Sequence, residues 1–146
     1  MLTRIDHVGI ACRDLGEAVA RYQSTFGLIL VNQEINEDQG VKEAMLQVAA
    51  APAGTSYVQL LEPLGPDTPV GRFLARRGEG LHHVGYGVTD ISAALVSIGA
   101  TGIRLIDARP RHGSMGASIA FLHPADVGGV LTELVEAADR PPDGRN

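Results

Sequence analysis

The 146-residue chain has no tryptophan, and aromatic residues make up only 4% of it. Modules that grip nucleic acid by stacking bases on aromatic rings need more than this. Basic runs are missing too. Twelve Lys and Arg face 17 Asp and Glu, for a formal net charge of −5, so no patch is built to track phosphates. Nucleic acid is not an expected partner. No stretch approaches the ~18 apolar residues of a membrane span, and the start, Met1-Leu2-Thr3-Arg4-Ile5-Asp6, lacks the basic and apolar segments of a signal peptide. Cysteine occurs once, as Cys12, and cannot form an internal disulfide. That fits a reducing compartment. A cytoplasmic location with no membrane partner is the expectation, and Cys12 reads as a small buried hydrophobe.

Glycine, by contrast, is plentiful: 18 of 146 residues, above a usual share of roughly 7%. Turns and bulges of a strand-rich protein would use it. The length predicts one domain over residues 1–139. The hydrophobic share of 45% is enough for a core without disulfides or structural zinc. Residues 140–146 are polar, with Pro141, Pro142 and Gly144, and read as a disordered tail.

An internal repeat organises the chain. The segment Asp6-His7-Val8-Gly9 aligns with His82-His83-Val84-Gly85, and Asp14 with Asp90, at a constant spacing of 76 residues. Each block runs into a helical pattern, at 15–26 and 91–98, with Asp14 or Asp90 as N-cap and Gly27 or Gly99 as C-cap. Short runs rich in Val, Ile and Leu follow, predicting strands at 27–33, 41–48 and 56–61 in the first half. In the second half they fall at 103–108, 117–123 and 129–136. The expected fold is therefore α+β: two tandem βαβββ units, about 1–62 and 81–139, whose sheets curl together around a metal site. A connector at 63–80 holds a short helix near 71–77.

Polar residues interrupt otherwise apolar strand faces at matching points of the two halves. His7 and His83 open the first strand of each unit. Gln59 shares a strand face with Tyr57 and Leu61, and Glu133 shares one with Leu131 and Val135. Buried polar groups of this kind cost free energy unless they are paired or bind a metal. Taken singly, a strand histidine is usually a hydrogen-bonded structural residue and a strand Glu is usually solvated. As repeat-related pairs, His7, Gln59, His83 and Glu133 read as four ligands of one metal ion. The remaining histidines get structural roles: His82 as structural or outer-shell, His112 as exposed, His123 as a backbone partner. Glu43 shares a face with Met45 and Gln47. It is either a surface carboxylate or, if the sheet curls, a cavity-facing base.

The segments Asp6-His7-Val8-Gly9-Ile10-Ala11, Val58-Gln59-Leu60-Leu61-Glu62-Pro63, Gly80-Leu81-His82-His83-Val84-Gly85-Tyr86 and Ala120-Phe121-Leu122-His123-Pro124 resemble the vicinal-oxygen-chelate superfamily. Within it they resemble the methylmalonyl-CoA epimerases. The run Gly129-Val130-Leu131-Thr132-Glu133-Leu134 extends the likeness over nearly the whole chain. The resemblance implies His7, Gln59, His83 and Glu133 as metal ligands and Glu43 as catalytic base, with Glu133 a candidate for the second proton transfer. It implies interconversion of the two C2 epimers of methylmalonyl-CoA through a metal-chelated enolate, hence an acyl-CoA substrate. One divalent ion is implied, Co²⁺ before Mn²⁺, Ni²⁺ or Zn²⁺, and a homodimer. Relatives often carry Lys near Ala117 and Ala125, so contacts to CoA phosphates do not carry over there. Two alternatives are a glyoxalase-type lactoylglutathione lyase, which typically has Glu at the place of Gln59, and a non-catalytic binding protein on the same scaffold.

Overall fold

Each half of the chain opens with a strand that runs directly into a helix. The computed structural model describes residues 1–52 and 54–139. The expected tail at 140–146 lies outside the described residues. The first half comprises β1 (Leu2–Ala11), α1 (Leu15–Phe26), β2 (Leu28–Asn36), β3 (Val41–Val48) and β4 (Tyr57–Pro63). Helix α2 (Pro69–Arg77) lies in the connector. The second half comprises β5 (Gly80–Val88), α3 (Ile91–Gly99), β6 (Arg111–His112), β7 (Ser118–Leu122) and β8 (Thr132–Glu136).

The helices form where spacing and caps agree. Leu15, Ala18, Val19 and Tyr22 put one apolar stripe on α1, and Ile91, Ala94, Leu95 and Ile98 do the same on α3. The Asp14 carboxylate accepts from the Glu17 N–H, and the Asp90 carboxylate from the Ala93 N–H, each at 2.9 Å. Gly27 closes α1 at φ 67°, in the left-handed region that glycine enters without steric cost. Gly99 does not do this for α3. It is the last helical residue, and Ala100 follows with right-handed dihedrals.

Eight strands form one curled sheet in the order β2-β3-β4-β1-β5-β8-β7-β6, a half-barrel with α1 and α3 on its convex face. The order is symmetric about the antiparallel β1–β5 seam. On either side β1 pairs with β4, and β5 with β8, in parallel. The cores obey the same symmetry. In one half Cys12, Leu15, Ala18, Val19, Ala44, Leu46 and Leu60 pack together; in the other Val88, Ile91, Ala94, Leu95, Ala120, Leu122 and Leu134 take the equivalent places. Each buried Leu or Ile contributes about 1.5–3 kcal/mol. Because strand side chains alternate, sending Ala44, Leu46 and Leu60 to the helices sends Glu43, Met45 and Gln59 to the concave face.

The second half departs from the expected strand at 103–108. Only Leu105 bridges to Leu122. Asp107 instead turns its side chain back to accept from the Phe121 N–H, Arg104 pairs with Asp126, and Pro110 lacks an N–H for a ladder. The segment keeps backbone bonds from the Ile106 N–H to the Phe121 carbonyl and from the His123 N–H to the Arg104 carbonyl but does not continue as a regular strand, and the two-residue β6 supplies the edge. Next to it, residues 111–116 are fastened to the end of β2. Arg111 pairs with Asp38, Asn36 and Gln39 donate to the His112 carbonyl, and the Met115 N–H donates to Glu34.

The two caps give a direct check. Asp14→Ala and Asp90→Ala should each lower stability by about 1 kcal/mol in urea denaturation. A change of only a few tenths at either site would show that its bond contributes little.

Candidate active site

Two rows of residues cross the centre of the sheet. In one, Gln59 on β4 and His83 on β5 flank Gly9 on β1; in the other, His7 on β1 and Glu133 on β8 flank Gly85 on β5. The rings lie over the glycines. A Cβ on Gly9 would fall 2.2 Å from His83 Cε1, and one on Gly85 would fall 2.3 Å from His7 Cε1. Only glycine lets each histidine lean across the seam toward the other. Their Nε2 atoms come within 2.9 Å. Glu133 Oε1 lies 3.6 Å from His7 Nε2 and Oε2 lies 3.4 Å from His83 Nε2. All three residues are buried, and one donor atom of each lies within 4.8 Å of the others.

This donor set fits a divalent cation. His7 Nδ1 is bonded to the Asp6 carboxylate at 2.8 Å, which an ionised carboxylate can do only by accepting. In its neutral form the His7 ring therefore has a bare Nε2, pointing at other electron pairs. Gln59 donates its amide to Glu43 Oε2 at 3.0 Å, while its own Oε1 is buried without a hydrogen-bond partner. Nitrogen and oxygen lone pairs converging without thiolate suit Co²⁺, Mn²⁺, Ni²⁺ or Zn²⁺.

The electrostatics follow from burial. It pushes the Glu133 carboxyl up to about 7. It also pushes Glu43 up to about 7, aided by Glu34, which pairs with it across β2–β3; the nearby Ser114 hydroxyl opposes the shift. Burial holds His83 well below the usual histidine range and His82 down at about 4. For His7, burial acts downward too, but the Asp6 bond and the Glu133 charge raise it overall. A cavity of about 490 Å³ opens beside these groups, walled by His7, Gln59 and Glu133 together with Met45, Ile119 and Val135. Glu43 and His83 stand one side chain behind its wall, in contact with Gln59 and His7.

Residues 6–121 match the model of the glyoxalase/bleomycin resistance protein/dioxygenase superfamily. The mitochondrial methylmalonyl-CoA epimerase of Bos taurus is 35% identical over 93% of this chain and 75% of its own length. A methylmalonyl-CoA epimerase solved in complex with methylmalonyl-CoA and NH4+ superposes with a TM-score of 0.91 at 50% identity, covering 95% of this chain and 97% of that one. A Streptomyces coelicolor methylmalonyl-CoA epimerase variant, in complex with 2-nitronate-propionyl-CoA, gives 0.90 at 50% identity over 94% of this chain and 99% of its own.

The chain belongs to the methylmalonyl-CoA epimerase family.

All five residues singled out in the sequence meet at this family's concave face: His7, His83 and Glu133 in the cluster, Gln59 on the cavity wall, Glu43 behind it. Glu43 is only 1% exposed, which removes the surface reading of that carboxylate. His112 is exposed, and His123 accepts from the Ala125 N–H. Sequence reasoning missed Asp6, Gly9, Gly85, Glu34 and Ser114. The two glycines carried a usable signal, since each stands two residues after a repeat-related histidine. Asp6 stands beside one. Glu34 and Ser114 carried none, because the β2–β3 pairing and the fastening of 111–116 bring them in.

Gly85→Ala should displace the His7 ring. Affinity for Co²⁺ or Zn²⁺ should fall by about tenfold or more, the scale of a disturbed ligand orientation. Metal titration reads this directly, and wild-type affinity would rule out the crowding.

Proposed function

We infer that the chain is a metal-dependent epimerase that interconverts the two C2 epimers of methylmalonyl-CoA. The observation that carries this is the buried convergence of His7, His83, Glu133 and the unpartnered Gln59 Oε1, with a second buried carboxyl, Glu43, alongside. A 50% identical, methylmalonyl-CoA-bound relative supports it. His7, Gln59, His83 and Glu133 would hold one divalent ion, Co²⁺ before Mn²⁺, Ni²⁺ or Zn²⁺. Such an ion supplies Lewis acidity where negative charge develops on the substrate's oxygens.

The chain's own residues do the rest. C2 of the substrate lies between a thioester carbonyl and a carboxylate, so its proton is acidic. Epimerisation removes that proton on one face and returns one on the other. Burial pushes the Glu43 carboxyl up to about 7, so Glu43 can hold or release a proton near neutral pH. Glu43 is assigned as the base on one face and Glu133 as the donor on the other. Contacts of catalytic groups commonly tighten only when substrate binds, which suits a Glu43 set just behind the cavity wall. Met45, Ile119 and Val135 form an apolar part of the cavity wall, which would limit water at the carbanionic carbon.

Residues 1–139 are proposed to act as one domain, because each half supplies part of the donor set. The lyase alternative has less support, since Gln59 stands where those enzymes typically carry Glu. A purely binding role has less support, because the ligand set is complete. A cytoplasmic setting is also proposed, on the single unpaired Cys12. Among the described residues no helix is long and apolar enough to cross a membrane.

Glu43→Gln keeps shape and hydrogen bonding but removes the basic oxygen. Turnover should fall about 10²-fold or more while bound metal is retained. His83→Ala should lose both metal and activity. Exchange of the C2 proton with deuterated solvent is the assay, and wild-type exchange in the Glu43 variant would assign the base to another residue. A homodimer is proposed as the working form. Ile29, Val31 and Ile35 of the outer strand β2 are 42%, 42% and 61% exposed, an apolar edge that asks for cover. Sedimentation should find a dimer at micromolar concentration, and a monomer there would refute it.

A further inference from the structure

Asp6 and His82 each stand one residue before a histidine of the cluster, at equivalent points of the two repeats. In a regular strand, neighbouring side chains point to opposite faces, so neither should reach the next ring. Both do. Asp6 Oδ1 lies 2.8 Å from His7 Nδ1, and His82 Nδ1 lies 2.9 Å from His83 Nδ1.

The seam's register supplies the cause. Ile5 faces Tyr86 and His7 faces Gly85, leaving Asp6 unpaired. Gly9 faces His83 and Ile10 faces Leu81, leaving His82 unpaired. Each is the extra residue of a β-bulge, a device that re-aims a side chain. A third irregularity, at Thr3, precedes no histidine. The other two bulges lie on facing strands, and each turns a polar side chain onto the ring that follows it.

We propose that Asp6 and His82 are positioning residues, which keep the proton of His7 and of His83 on Nδ1 and so leave both Nε2 atoms bare for the metal. This rests on the metal-site reading above. The geometry constrains the protons. An ionised Asp6 can only accept, so His7 carries its proton on Nδ1. For His83, the opposite arrangement would have His82 donate. The neutral His83 ring would then carry its proton on Nε2, aimed into the donor cluster and 2.9 Å from His7 Nε2. With His82 accepting instead, the His82 proton sits on its own Nε2. Phe73 fixes the His82 ring edge to face, with centroids 5.0 Å apart, and Arg4 fixes the Asp6 carboxylate. One partner is anionic and the other neutral, so His7 is the more electron-rich ligand. Outer partners of this kind orient metal-bound histidines and raise their basicity.

Two measurements test this. Long-range ¹H–¹⁵N spectra of the metal-free protein, labelled at histidine, should show His7 and His83 with the proton on Nδ1. Co²⁺ titration then compares His82→Asn, whose side-chain oxygen can accept in place of Nδ1, with His82→Leu, which cannot, and Asp6→Asn with Asp6→Ala. His82→Asn should bind Co²⁺ nearly as wild type does, and Asp6→Asn, which keeps the acceptor but not the charge, should lose less than Asp6→Ala. The Leu and Ala variants should lose about 10–100-fold in affinity, with the larger loss at Asp6 and a shifted Co²⁺ visible spectrum. The metal-free melting temperatures of the two His82 variants should agree. An Nε2–H tautomer at His83, wild-type affinity in His82→Leu, or equal losses in His82→Asn and His82→Leu would each overturn the proposal. If His82→Leu does not fold, the tautomer spectrum and the Asn variant decide. A wild type that binds no Co²⁺ would sink the metal-site reading instead, and the tautomers alone would then decide this one.

Discussion

Two histidine rings cross the β1–β5 seam in opposite directions, each resting over a glycine of the strand it crosses. That mutual crossing demands three things at once. The seam must be antiparallel, so that the His-Val-Gly of one strand meets the His-Val-Gly of the other in reverse. Gly9 and Gly85 must lack side chains. Strands β4 and β8 must flank the seam in parallel, so that Gln59 and Glu133 fall in the same rows as the glycines. Loss of any of these separates the donor atoms, however well the rest of the sheet forms.

The concave face is costly to build. It buries Asp6, His7, Glu43, Gln59, His83 and Glu133, none more than 5% exposed, and leaves acceptor atoms of Glu43 and Gln59 without partners. Such groups oppose folding. The two repeat-related apolar layers under α1 and α3 offset that cost on the other face of the same sheet. The symmetry is also incomplete where chemistry needs a difference. Met45 lies opposite Gln59 and Phe121 opposite Glu133, so the place equivalent to Glu43 is held by Ile119. One side of the site offers a carboxyl and the other an apolar wall.

Much of this was legible in the sequence, because a repeat written twice checks itself. The constant spacing of His7 and His83, of Asp14 and Asp90, and of the helical stripes between them gave the element order and the pseudo-twofold arrangement. It also picked out the ligand candidates. Where the halves diverge, legibility ended. Residues 103–108 carry the Ile and Leu of a strand, yet only Leu105 bridges to Leu122, and the side chains of Asp107 and Arg104 bond to the Phe121 N–H and to Asp126. Gly99 has the composition of a cap but sits one residue too early. The bulges at Asp6 and His82 were invisible, since a strand's alternation assigns both to the wrong face. Curvature was the other missing quantity. Whether Glu43 meets water or the cavity depends on how far the sheet closes, and the ties between β2 and residues 111–116 set that.

The connector with α2 takes on a further meaning once the seam is seen as the site. Val70 and Leu74 pack with Ala11, Val41 and Leu61 at one end of the central strands, so the tether is anchored near the surfaces it joins. Each half alone would be a four-stranded sheet with a bare edge and two of the four donors. Joined by a free linker, two such halves would meet at an effective concentration on the order of millimolar. A helix seated at the seam holds them closer still. The covalent link thus turns what would be a concentration-dependent encounter into a property of one chain, and the affinity for the ion becomes independent of how dilute the protein is.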